Sequence, residues 1–205
     1  MRTLWNRTAA IAMVAALGGL TSPDARACTR DDCGSGGLNA CYNLSGWKWC
    51  GITYSGSQHW TSVNVYNHSS ISQVPQAWTN LNNPPAAPGN TLYLNTDGSN
   101  HSNHDIDYWD ANTSDTWWGY TTYPGGIGAN NCINRGGAMI QFNLSRVTAD
   151  ATWRLWLAEH ETGHAVGMKH VCGCTQGRVM NPCTECSNPA TLSGCDAQGL
   201  NALYP

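Results

Sequence analysis

Residues 160–170 read HETGHAVGMKH, which gathers three of the chain's seven histidines, a glutamate and two glycines into eleven positions. On a helix, residues four apart stand one turn above each other on one face, so His160 and His164 can turn two imidazole nitrogens toward a single metal ion. Glu161 stands one step round the same helix, beside that ion without being needed as a ligand. There it can serve as general base toward a water that the metal activates. His170 lies six residues beyond His164 and would face elsewhere if the helix simply continued. Gly167 predicts the remedy: a residue with positive φ, three positions after His164, ends the helix and swings His170 back toward the metal. Three neutral imidazoles leave one tetrahedral position open, the coordination of a catalytic zinc rather than of a closed structural site.

The elements that must position these residues can be read around them. Trp153, Trp156, Leu157, His160 and His164 recur at spacings of three and four, which predicts a helix capped by Thr148 or Asp150 and ending at Gly167. Gly136 to Asn143, GGAMIQFN, predicts a strand preceded by a glycine-rich loop. Ile71, Val74, Trp78 and Leu81 predict a second helix ending near Asn82, with Ser70 or Ser72 as cap and Pro75 in its first turn. Short alternating pieces from Gly51 to Val65 predict half-buried strands, Thr91 to Leu94 another, and Asn83 to Asn90 a proline-rich connector. Asp97 to Asp115 reads as a polar, turn-rich stretch. A last helix is expected over Ser193 to Leu203, with Leu200, Leu203 and Tyr204 turned inward.

Arg2, Arg7, the apolar run Ala9 to Leu20 and Ala25-Arg26-Ala27 have the form of a secretory signal with its cleavage site, too short to span a bilayer. Residues 28–205 would then form one domain with room for a core, residues 28–50 being a cysteine-rich N-terminal segment. Without the leader the chain keeps seven basic and twelve acidic side chains, a formal charge of −5. That balance argues against a nucleic-acid or anionic-membrane surface. All ten cysteines, at 28, 33, 41, 50, 132, 172, 174, 183, 186 and 195, lie after the leader, and in an oxidising compartment disulfides are the expected state. Two alternatives stay open: Cys28 as a lipid-modified cysteine, and Cys172, Cys174, Cys183 and Cys186 as a structural zinc site.

The signature H-E-x-x-H-x-x-G-x-x-H followed by a methionine turn belongs to the metzincin zinc peptidases, and this chain resembles them, with Met180 ten residues after His170. GGAMIQFN is similar to the edge strand that lies antiparallel to substrate in the matrixin branch, and CDAQGLNALYP to that branch's closing helix. The resemblance implies an α+β fold: a twisted mixed sheet, an active-site helix, a second packing helix and a C-terminal helix. It implies that His160, His164 and His170 bind zinc, that Glu161 is the general base, and that Met180 floors the histidines. Gly137, Ala138 and Met139 would contact substrate backbone, and Pro182 would wall the main specificity pocket. The chain departs from the pattern at Thr184, where a tyrosine is usual, and at Asn181, where the astacin-like branch shows its tyrosine nearby. It also shows no cysteine-bearing pro-segment, only a partial echo of a second zinc site at His104-Asp105-Ile106-Asp107, and unusually many cysteines from 172 to 195.

The function these readings support is a secreted zinc endopeptidase acting on protein or peptide substrates held by strand addition. Its rival is a secreted zinc-containing binding or toxin-like module with narrow or no proteolysis. His59, His68, His101 and His104 read as surface histidines. Asp97, Asp105, Asp107 and Asp110 could bind calcium, though no EF-hand spacing supports it and solvated loop acids are the simpler account. Trp117, Trp118, Tyr120 and Tyr123 are core by default, with an exposed binding surface as the alternative.

Overall fold

The computed structural model describes residues 42–50, 53–55, 58–84, 91–95, 105–134, 136–171, 177–181 and 192–205. The leader, most of the cysteine-rich segment, Asp97, His101, His104, Pro182, Thr184 and the Cys172, Cys174, Cys183 and Cys186 group lie outside these residues.

Six strands form one mixed sheet: β1 (Thr53–Ser55), β2 (Gln58–Asn67), β3 (Leu92–Asn95), β4 (Ile106–Ala111), β5 (Gly119–Thr122) and β6 (Ala138–Asn143). The order is β1-β2-β4-β6-β5, with β3 also paired to β2. Pairings β2–β3, β2–β4 and β4–β6 are parallel, whereas β5 runs antiparallel to β6 in the register Thr121↔Ile140. Alternation explains which face is dry. Val63 and Val65, Ile106 and Tyr108, and Ile140 and Phe142 are buried, and their neighbours along each strand are more open except Asn143, which closes β6 fully buried.

Helices α1 (Val74–Asn82) and α2 (Ala151–Ala165) pack against each other and the sheet, and α3 (Gly194–Leu203) closes the chain. Helix α1 buries Val74, Ala77, Trp78 and Leu81, and the Trp78 ring meets Tyr108 at 5.5 Å. Pro75 lies in the first turn as expected, but neither Ser70 nor Ser72 caps the helix; Gln73 occupies the N-cap without a side-chain hydrogen bond. Helix α2 is capped by Asp150, whose carboxylate accepts from Trp153 N at 2.7 Å. From Trp156 to Ala165 every residue of α2 is buried, so the site-bearing half of this helix is enclosed rather than amphipathic. At α3, Ser193 and Asp196 form a reciprocal capping box, and Leu200, Leu203 and Tyr204 are buried as the sequence predicts.

Three strands depart from the sequence reading, among them β5, which the sequence reading did not predict. Ile106–Ala111 lies within the expected polar stretch, yet β4 sits between β2 and β6. Its inward residues Ile106 and Tyr108 are apolar, while Asp107 and Asp110 between and after them hide the alternation. The last correction concerns GGAMIQFN. Strand β6 is not an edge, because β4 covers one side and β5 the other; the antiparallel edge is β5.

Candidate metal centre

His160 and His164 sit one turn apart on α2, both buried, and the helix ends just beyond them. Val166 is the C-cap, and Gly167 takes φ +101°, the left-handed conformation expected of it. Gly167 has a second reason to lack a side chain: a Cβ there would stand 2.3 Å from the Trp47 carbonyl oxygen. The turn brings His170 back, and the three Nε2 atoms converge at 3.1, 3.2 and 2.9 Å from one another.

The protonation of these rings decides what they can hold. A carbonyl only accepts, so His160 Nδ1–H donates to Val179 O at 2.8 Å and His164 Nδ1–H to Met168 O at 2.9 Å. Each neutral ring then turns a bare lone pair from Nε2 toward its neighbour. Burial holds both rings neutral, lowering His160 to about 4 and His164 to about 3, the latter also because two protonated rings this close would repel. Lone pairs facing each other at this range repel unless a cation lies between them. A tetrahedral zinc at ~2.0–2.1 Å from each nitrogen would set them roughly 3.3 Å apart, close to what is found. The donor set therefore fits a metal ion, and among the described residues these histidines are the one group of metal-ligating side chains that gathers.

Glu161 lies beside this cluster, packed against the edge strand. A Cβ built at Gly119 would stand 2.5 Å from Glu161 Oε1 and 2.6 Å from its Cγ. Thr121 Oγ1, two residues along β5, reaches Glu161 Oε2 at 2.7 Å and the Glu161 carbonyl at 3.0 Å. Burial raises Glu161 to about 7 and the Thr121 hydrogen bond opposes that rise, which leaves a carboxyl poised to exchange a proton near neutrality. Thr162, the next residue, shares a hydrogen bond with Tyr108 Oη at 2.9 Å, and Tyr123 Oη donates to the His164 carbonyl.

Met180 is fully buried beneath the helix. Its Sδ comes within 2.3 Å of where a Cβ on Gly163 would stand, and its carbonyl accepts from Val171 N at 2.9 Å, next to the third histidine. The turn carrying Met180 is held in turn by α3: Asp196 Oδ2 accepts from Val179 N at 2.9 Å and Oδ1 from Met180 N at 3.4 Å. Because Val179 O orients His160, this carboxylate acts on the metal site from two residues' remove.

No protein-family model matches the chain, and no curated protein matches it.

The remaining expected site residues fall elsewhere. Ala138 and Met139 begin the interior strand β6, with Gly137 just before it, and Met139 has strand partners on both sides, so its backbone is not the free edge that strand addition requires. Gly137 serves a packing need, since a Cβ there would stand 2.0 Å from the Asn134 carbonyl oxygen. Trp118 packs edge-on against Trp153 at 5.4 Å, and Trp117 Nε1 donates to Asp115 at 3.2 Å; both rings are half-buried rather than an open platform. His68 is also half-buried, stacked on Trp109 at 3.8 Å. Asp110 accepts from Ser69 Oγ and Ser70 N, and Asp105 from Asn64 N, so each has a structural use. Cys50 and Cys132 form a disulfide, and no described cysteine is free. Gly119, Thr121, Gly163 and Asp196 were not picked out by the sequence, because each acts through a residue distant in the chain.

Proposed function

We propose that this chain is a secreted zinc endopeptidase of metzincin type, similar to the matrixin branch. The observation that carries the reading is the convergence of three histidine Nε2 atoms on one point with the Glu161 carboxylate beside them. His160, His164 and His170 would hold zinc, which when bound supplies Lewis-acid chemistry: it acidifies water and polarises a carbonyl. Glu161, ionised and shielded from bulk water, accepts the proton at a carboxylate oxygen and later passes it to the departing amine. Thr121 holds Oε2, which leaves Oε1, the atom next to Gly119, as the oxygen that takes the proton. Met180 keeps the histidine cluster dry from below.

Substrate placement follows from the edge. Among the described residues, β5 pairs with β6 on one side and with no strand on the other. An extended peptide added there would run alongside the strand that carries Gly119 and Thr121, the two residues that touch Glu161. Main-chain hydrogen bonds of this kind demand little of the substrate's sequence. The Cys50–Cys132 disulfide supports an oxidising compartment, and no described helix is long and apolar enough to cross a membrane.

The test is cleavage of an unstructured protein by the purified chain, with and without a zinc chelator, beside Glu161→Ala. Chelation should abolish cleavage and zinc restore it, while Glu161→Ala should retain zinc and lose about 10²–10⁴ in rate. Equal cleavage by Glu161→Ala would remove the base from the mechanism. No cleavage of any unrelated substrate by folded, zinc-loaded protein would favour a binding role.

A further inference from the structure

The third ligand has a weaker foundation than the other two. His160 and His164 stand on an enclosed helix, whereas His170 hangs from a turn after Gly167. What fixes that turn is largely a segment from the other end of the chain. Ser45 N and Ser45 Oγ both donate to the Gly167 carbonyl, at 2.9 and 2.7 Å, and Leu44 pairs with Met168 in an antiparallel bridge. Trp49 Nε1 donates to Ala165 O at 3.0 Å, and Lys169 Nζ lies 5.7 Å from the Trp47 ring centroid. Residues 43–45 therefore run along the turn that delivers His170, joined to it by the Leu44–Met168 bridge.

Within this strap, Asn43 is bonded to both ends of the Lys169–His170 unit. Its backbone carbonyl accepts from Lys169 N at 2.9 Å, and its side-chain Nδ2 donates to the His170 carbonyl at 3.1 Å. Together these bonds fix the peptide planes on either side of the ligand pair and so the direction in which the His170 side chain leaves the backbone. We infer that Asn43 is a positioning residue for the third ligand, and that zinc affinity depends on its side-chain amide. The inference rests on the metal-centre reading. It assigns Asn43 a part in building a site more than 100 residues away in sequence.

The experiment measures the zinc dissociation constant of the whole chain by competition with a chromophoric chelator, for wild type, Asn43→Ala and the isosteric Asn43→Asp. Lys48→Met serves as control: it removes a 2.7 Å hydrogen bond to the Leu203 carbonyl, made by a side chain that bonds neither Lys169 nor His170. Both Asn43 variants should raise the dissociation constant about 10- to 100-fold, the usual effect of losing a group that orients a metal ligand. They should also alter the visible absorption of the cobalt-substituted protein. Lys48→Met should lower the melting temperature of the metal-free protein with zinc affinity and cobalt spectrum unchanged. Should Asn43→Ala not fold, Asn43→Asp, which preserves shape and the backbone bond, decides alone. Zinc affinities within about twofold of wild type, or no greater loss than in Lys48→Met, would overturn the inference while leaving the metal centre standing. Failure of the wild type to bind zinc would overturn both.

Discussion

Glu161 fills the space that a side chain at position 119 would need, its Cδ lying 2.8 Å from where a Cβ on Gly119 would stand. The clash of a Gly119→Ala variant falls on the far end of a flexible side chain rather than on backbone, so the fold has an inexpensive way out: the carboxylate moves. Stability and zinc content should stay close to wild type while the rate falls about 10²-fold, the usual penalty for displacing a reacting group by about 1 Å. Turnover and bound zinc measured on the same preparation check this. Full activity in Gly119→Ala would show that Glu161 does not act from the position found.

That relationship marks where sequence reading stops. The spacing of His160 and His164 is local helical geometry, and the positive φ at Gly167 is a local demand, so both were legible. Asp150 as helix cap was legible for the same reason. Gly119 looks like any turn glycine until Glu161, 42 residues on, is known to lie against it. The interior place of β6 was hidden likewise, because strand neighbours are set by non-local pairing and the alternation of one strand does not say how many sides are taken. In β4, Asp107 on the open face and Asp110 at the end of the buried one masked Ile106 and Tyr108.

Gly163 and Met180 make a second close fit. A Cβ at 163 would meet Met180 Sδ at 2.3 Å and Cε at 3.3 Å, inside a fully buried contact. Gly163→Ala should destabilise by about 1–3 kcal/mol through overpacking. Met180→Ala should cost about 2–5 kcal/mol through the cavity it leaves. The double variant should be more stable than the sum of the two predicts, because the added methyl enters the space the thioether vacates. Chemical denaturation of the four proteins gives the coupling energy, expected to exceed about 0.5 kcal/mol. Strict additivity would mean that the two residues do not share that space.

Glu159 supplies a pH dependence. It is buried in α2, takes one hydrogen bond from Asn80 Nδ2 at Oε1, and has no partner at Oε2. Burial raises its carboxyl from about 4.5 to about 8, only partly opposed by Asn80. The folded chain therefore binds this proton more tightly than the unfolded chain does. The stabilising contribution is complete below the unfolded value near 4.5 and is lost as pH rises through about 8. Glu159→Gln keeps an acceptor for Asn80 and cannot ionise. Melting temperatures of the metal-free proteins, followed across this range, should show wild type losing stability relative to Glu159→Gln as pH rises. Parallel curves would mean that Glu159 stays charged or stays neutral throughout.

Asp196 joins the C-terminal helix to the Met180 turn. Its carboxylate accepts from Val179 N and Met180 N as well as from Ser193 N and Ser193 Oγ, which are at 2.9 and 2.8 Å. An amide has one acceptor oxygen, so Asp196→Asn must turn an NH2 group toward the donors on one side and leave at least one buried N–H group unpaired. That should cost about 1–3 kcal/mol, or roughly 2–12 °C in melting temperature for a chain of this size. Because Val179 O also receives the proton of His160 Nδ1, zinc affinity should fall with stability. A variant that lost stability but held zinc as tightly as wild type would show that the Met180 turn keeps its place without the helix, and that the 2.8 Å bond from His160 alone orients the first ligand.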